Sequence, residues 1–148
     1  MVSAQDLFVF HMGGRTLAIE TALVETVVDG ERTFFVPGGG GVVRGVTSHR
    51  GELVAVADLP ALFGAADEAA ERSSKTVIAA AGSHHIGLYI GRAFSTLLWK
   101  EELAGAGVEE GRGPFSMRFR REDGAIDVID AVAVFERAAA ALSAASRS

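Results

Sequence analysis

The stretch VVRGVTSHRGELVAVADLPALFG, residues 42–64, decides the fold. Val42, Val43, Val46 and Thr47 are β-formers, and Ser48-His49-Arg50-Gly51 is a tight polar turn. Gly51 supplies the positive φ that a hairpin needs. Glu52 to Ala57 returns as a second strand, with Leu53, Val54 and Val56 as its apolar body. Asp58 stands where a helix N-cap belongs, and Pro60 sits in the first turn, where its missing N–H costs nothing. Leu59, Leu62 and Phe63 form the helix's apolar side, and Gly64 ends it.

Upstream, Leu7 to Met12 and Arg15 to Glu20 are apolar runs around Gly13-Gly14, an opening hairpin. Thr21 is placed to cap a short helical turn, and Val24, Val27 and Val28 predict a strand entering the Asp29-Gly30 turn. Thr33 to Val36 is a short β-rich run stopped by Pro37, and Gly38 to Gly41 reads as a flexible loop. It is no phosphate cradle, because Val42-Val43 stand where a P-loop carries Lys-Ser/Thr.

Downstream, residues 65–74 are polar and without apolar period, a linker. Thr76 to Ala81, a Gly82-Ser83 turn and His85 to Ile90 predict a hairpin, followed by an apolar stretch from Phe94 to Trp99. Lys100 to Gly113 is acidic and glycine-rich, and reads as loop. Phe115 to Arg121 alternates, with Phe115, Met117 and Phe119 on one face, the pattern of a half-buried strand. With Trp99, these three read as core, with a partner-facing surface as the alternative. Ala125 to Ile129 returns after Glu122-Asp123-Gly124, and Asp130 caps a last helix with Val132, Phe135 and Ala139 on its inner side.

The order of pieces repeats. Each half has a hairpin around a glycine turn, a mixed segment (23–28 or 94–99), then a strand, an Asp cap and a helix. From the capping Asp to the helix Phe the interval is the same in both halves, Asp58 to Phe63 and Asp130 to Phe135. Two similar half-units, each too small to bury much alone, should pack into one body.

Totals bound the function. The chain has 148 residues, a net charge of −5 and no Cys. A chain of this size buries roughly 70% of its unfolded surface and needs no staples. The missing Cys removes disulfides, thiolate nucleophiles and Cys-ligated metals, and suits a reducing cytosol. An acidic pI near 5.3 argues against nucleic acid as the main ligand. The opening MVSAQDLFVFHMGG has too short an apolar run for a signal peptide or a membrane span. These features predict a soluble intracellular protein.

Catalytic constellations are missing from the pattern. His84 and His85 are adjacent on a strand and point to opposite faces, so they do not easily share a metal. They carry the one metal-dependent-enzyme reading open to this chain. His11 lies within a strand and His49 in the central turn, with no spacing that links them. Asp58 and Asp130 are occupied as helix caps, Asp127 is expected to face solvent, and Ser48-His49 lacks a third member. The expectation is no enzyme, no cofactor and no metal.

The central stretch resembles the CheW family of chemotaxis coupling proteins. Arg44-Gly45-Val46-Thr47, Arg50-Gly51, and Val56-Ala57-Asp58-Leu59 through Phe63-Gly64 follow the family pattern, while Ser48 and His49 replace its Asn and Leu. The resemblance covers about residues 6–140. It implies an all-β fold of two SH3-like five-stranded β-barrels packed together, with short helices and a C-terminal helix. The first barrel would come mainly from 15–64 and the second mainly from 75–130, with strands exchanged at the ends and an Ala/Ser tail at 141–148. It further implies a non-catalytic adaptor, recruited to receptor clusters in the cytoplasm, that couples chemoreceptor (methyl-accepting) tips to the regulatory domain of a CheA-type histidine kinase. The departures keep a second reading open, an accessory adaptor that binds receptor or another regulator without the kinase.

Site residues follow from the resemblance too. Arg50 matches an arginine that helps bind receptors, and a guanidinium at a hairpin tip offers five donors and a flat stacking face. An ordinary solvated arginine has the same spacing. Gly45, with Val46 beside it, matches a position of close backbone approach, which a bulge or bend would also explain. Val24, Glu25 and Val27 fall where the first barrel contributes to the same groove, although core packing also accounts for the two valines.

Overall fold

The computed structural model describes residues 6–35, 41–64 and 74–146, with side chains to residue 144. Residues 38–40 of the glycine run and 65–73 of the linker lie outside the described residues. Strand β1 (Leu7–Met12) pairs antiparallel with β2 (Arg15–Glu20), setting Val9 against Ala18 and Phe10 against Leu17. A 3-10 turn follows at Thr21–Leu23. Glu20, not Thr21, holds its N-cap position; the Thr21 hydroxyl instead donates to the Asp6 carbonyl at 3.2 Å, tying the turn to the start of β1.

Next come β3 (Val24–Asp29), a 3-10 turn at Gly30–Arg32, β4 (Phe34–Phe35), β5 (Val43–His49) and β6 (Glu52–Asp58). The helical turn α1 (Leu59–Leu62) starts as its sequence dictates. The Asp58 carboxylate accepts the Ala61 N–H at 3.1 Å, Pro60 occupies the first turn, and Gly64 follows at a φ of 68°. Then β7 (Lys75–Ala81), β8 (His84–Gly91) and β9 (Phe94–Leu98) complete the middle of the chain.

The stretch from Lys100 to Gly113 is more than loop. It holds a 3-10 turn at Lys100–Leu103 and strand β10 (Gly107–Glu110). The turn is fastened by buried Leu103, by the Glu102 carboxylate accepting the Trp99 N–H at 2.8 Å, and by the Asp6 carboxylate accepting the Lys100 N–H at 2.7 Å. All four residues of β10 are exposed, so no alternation announced it. Its stability comes from backbone pairing with β11 (Phe115–Arg121), Val108 opposite Phe119. Last come β12 (Gly124–Ile129) and the helix α2 (Ala131–Ser146), capped by the Asp130 carboxylate accepting from Ala133 N–H at 3.1 Å.

The strands form two six-stranded sheets with the orders β10-β11-β12-β2-β1-β9 and β3-β7-β8-β6-β5-β4. The first joins the opening hairpin to the C-terminal strands through a parallel β2–β12 pairing, and the second is built from residues 24–91. This is the expected mostly β fold with a C-terminal helix, here as two six-stranded sheets whose orders are open among the described residues. The sheets do not follow the two halves of the repeat, since β1 and β2 join the later strands and β7 and β8 join the earlier ones.

One core serves both sheets. Phe10, Leu17 and Ile19 of the first sheet pack with Val77, Ile86 and Leu88 of the second and with Val134 and Ala138 of α2. A second cluster, around Val9, Ala18, Leu103, Phe119 and Val128, fills the other face of the first sheet. Each such large side chain, fully removed from water, contributes about 1.5–3 kcal/mol. The helix buries Ala131, Val134 and Ala138, not the Val132–Phe135–Ala139 stripe: Val132 and Ala139 are exposed, and Phe135 is half-buried, stacked on the His84 ring. The inner face is turned by one residue, about 100°. Trp99 also lies outside the core, exposed beyond β9, whereas Phe119 is buried and Phe115 and Met117 are half-buried.

Candidate functional site

The β5–β6 hairpin closes through Arg50 and Gly51, with φ of 52° and 80°. A two-residue turn with both central residues left-handed matches the twist of the strands it joins. Arg50 is the one non-glycine among the described residues at positive φ. Such a residue carries roughly 1–2 kcal/mol of backbone strain. The turn sets its guanidinium at the tip with 79% of the side chain exposed. Beside it, Leu53, read from the sequence as strand body, is 78% exposed, because its neighbours Val54 and Val56 take the buried face.

Glu25 comes to this tip from far along the sheet. Its strand skips a residue there: Val24 opposes Ala79 and Thr26 opposes Ile78, leaving Glu25 unmatched in a bulge. In the sheet order three strands separate β3 from β5, which in a flat sheet would put them roughly 19 Å apart. Yet Glu25 Oε1 lies 3.5 Å from His49 Nε2 and 3.8 Å from Arg50 Nη1, and Oε2 is in close contact with His85 Nε2. The sheet therefore curls until side chains of its first and fifth strands meet. The His85 ring, helped by His49 and Arg50, holds the Glu25 carboxyl below its ordinary value.

The two histidines that spacing did not link thus face each other, ring centroids 5.4 Å apart and edge to face. Adjacent His84 turns the other way and stacks on Phe135 at 4.6 Å. His84 and His85 therefore supply no common site, and the enzyme reading built on that pair loses its geometry.

The remaining site residues stand along β3 and β5. Gly45 is buried, and a Cβ built on it would lie 2.0 Å from the Phe34 carbonyl oxygen. Val46, half-buried, lies opposite Phe34, and Arg44 is skipped in a bulge beside them. Val24 packs against the shared core, while Val27 is exposed. Gly45 and Val46 lie about 13–17 Å along β5 from Arg50, so the structure gathers Arg50 with Glu25 and sets Gly45 and Val46 apart. Next to the latter, Phe34 and Phe35 are 69% and 80% exposed, an aromatic pair that sequence reasoning treated only as strand. Exposed aromatics on an edge strand are the signal that marks them.

Asp127 corrects a further expectation. It does not face solvent: Arg118 grips it through Nε at 2.6 Å and Nη2 at 3.2 Å, and Arg15 adds Nη2 at 3.5 Å. Arg15 in turn lies over the Phe63 and Phe115 rings, 5.1 and 5.3 Å from their centroids. This is a structural junction between α1 and the first sheet.

Among the described residues no helix is long and apolar enough to cross a membrane. No curated protein sequence matches the chain significantly. The crystal structure of the scaffolding protein TtCheW from Thermoanaerobacter tengcongensis superimposes with a TM-score of 0.71 and 17% identity, over 90% of this chain and 93% of that one. That likeness shows the fold. The family model of the CheW-like domain matches residues 6–139. With its two sheets, its capped 42–64 unit and that match along nearly the whole chain, the protein belongs to the CheW-like domain family.

Proposed function

We propose that the protein is a non-catalytic chemotaxis-type adaptor that binds the cytoplasmic tips of chemoreceptors and couples them to a CheA-type histidine kinase. The observation that supports this most is Arg50: the hairpin holds a guanidinium out at a strained backbone position, beside exposed Leu53. A solvated arginine with no partner would not require a left-handed turn residue where glycine or asparagine is cheaper. Phe34, Phe35 and Val27 offer apolar area for a second contact, and two docked partners raise each other's effective concentration. The protein would work in the cytoplasm at receptor clusters, with no direct membrane insertion and no nucleic acid as ligand.

A second reading, an accessory adaptor that leaves the kinase unbound, is favoured by His49. Where the family pattern has Leu, this chain has an imidazole turned onto Glu25. Binding of wild type and Arg50→Ala to a receptor cytoplasmic fragment, and separately to the kinase regulatory domain, tests both. Coupling requires both partners to bind and Arg50→Ala to weaken the receptor contact by about 1–3 kcal/mol. Binding of the receptor alone selects the accessory adaptor, and binding of neither removes both readings.

A further inference from the structure

We propose that Glu25, His49 and His85 form a binding site for a divalent transition-metal ion of the zinc class. They are the one group among the described residues whose His and carboxylate ligand atoms gather for an ion, all lying within 4.8 Å of one another. Ligand atoms held tetrahedrally by zinc at about 2.0–2.1 Å stand roughly 3.3 Å apart. Glu25 Oε1 and His49 Nε2, at 3.5 Å, already meet that spacing, so only His85 has to turn about its side-chain bonds to complete the set.

Donor chemistry selects the ion. Two imidazole nitrogens and one carboxylate oxygen suit zinc, cobalt, nickel or copper, and suit magnesium or calcium poorly, since those ions want oxygen throughout. The three ligands come from β3, β8 and β5, and each side chain keeps between 12% and 27% of its surface, which leaves an open side for water or a fourth ligand. The bulge in β3 is what aims Glu25 into the group. Arg50 Nη1, 3.8 Å from Glu25 Oε1, opposes a cation there, but its exposed side chain is free to swing into solvent once the carboxylate is taken. A bound ion would therefore clamp the hairpin tip to β3 and β8 and release the arginine from its acidic neighbour.

The test is calorimetric titration of the whole, metal-stripped chain with zinc chloride, with magnesium chloride as the oxygen-seeking comparison. One zinc per chain is expected, with a micromolar dissociation constant and no magnesium binding in that range. Glu25→Gln, His49→Ala and His85→Ala should each weaken zinc binding by about tenfold or more, while His84→Ala, on the opposite face of the same strand, should leave it unchanged. Should a ligand variant fail to fold, proton NMR of the wild type decides: zinc should move the ring signals of His49 and His85 and spare those of His11 and His84. No saturable binding at submillimolar zinc, equal loss in His84→Ala, or shifts at all four histidines would overturn the proposal. Metal binding is measured without any partner, so its failure leaves the adaptor reading intact.

Discussion

Gly45 lies against Phe34 so closely that a methyl group there would stand 2.0 Å from the Phe34 carbonyl oxygen. The atom in the way is backbone, in a strand pair that also brings Phe35 opposite Gly45. Gly45→Ala must therefore push β4 away from β5, and we expect a loss of about 2 kcal/mol or more in urea unfolding. Gly107→Ala is the comparison, since its added carbon meets only Arg120 Cβ at an ordinary 3.6 Å; it should stay within about 0.5 kcal/mol of wild type.

Arg50 separates stability from binding. Arg50→Gly relieves the left-handed strain and gives up only an exposed ion pair with Glu25, while adding freedom to the unfolded chain. The variant should unfold within about 1 kcal/mol of wild type, on the stabilising side. Receptor affinity should fall as far as in Arg50→Ala. A stability loss equal to the binding loss would mean that Arg50 serves the fold.

Asp127→Asn leaves Arg118 and Arg15 without their shared anion. Both guanidinium side chains are 39% exposed, which discounts the cost of a fully buried pair to about 2 kcal/mol. Thermal or urea unfolding reads it. A loss under about 0.5 kcal/mol would mean that this carboxylate is not needed to hold the two arginines in place.

The Asp29 carboxylate is hydrogen-bonded to the Lys75 ammonium at 2.7 Å, across the registered β3–β7 pair, and this holds its pKa below the ordinary value. A lowered carboxylate stabilises the fold fully above its unfolded value, about 3.9. That contribution disappears as pH falls through the lower folded value. NMR titration of Asp29 should show a midpoint below that of an unstructured aspartate, returning to it in Lys75→Met. Because both groups are well exposed, the effect should shrink in high salt.

The unit at 42–64 was legible because its signals are local. Gly51, Asp58, Pro60 and Gly64 each act within a few residues of where they stand, and the structure uses each as read. The Glu25–His49–His85 group was not legible, since its contacts span 24 and 60 residues and depend on a bulge and on the curl of a whole sheet. Neither is visible to alternation, which describes one strand at a time. Asp127 failed for the same reason: the pattern of β12 shows its faces, but the cations that make burial tolerable come from Arg15 and Arg118. Helix α2 was read with its face one residue out, because Phe135 finds His84 at the edge instead of a place inside.

The parallel pairing of β2 with β12 sets Leu17 beside Asp127, two positions 110 residues apart (127 minus 17). The β1–β2 hairpin is thus made well before β12, and this edge stays uncovered until the segment around Asp127 has been synthesised. Sheet residues 24–91 have all their pairing partners in hand much earlier. The β2 edge therefore stays open after the second sheet has its strands, and β12 closes it. Contacts of such separation slow folding, and an uncovered hairpin edge is a template for the wrong neighbour. Truncation just before β12 should leave a chain that holds most of its second sheet and aggregates through its first.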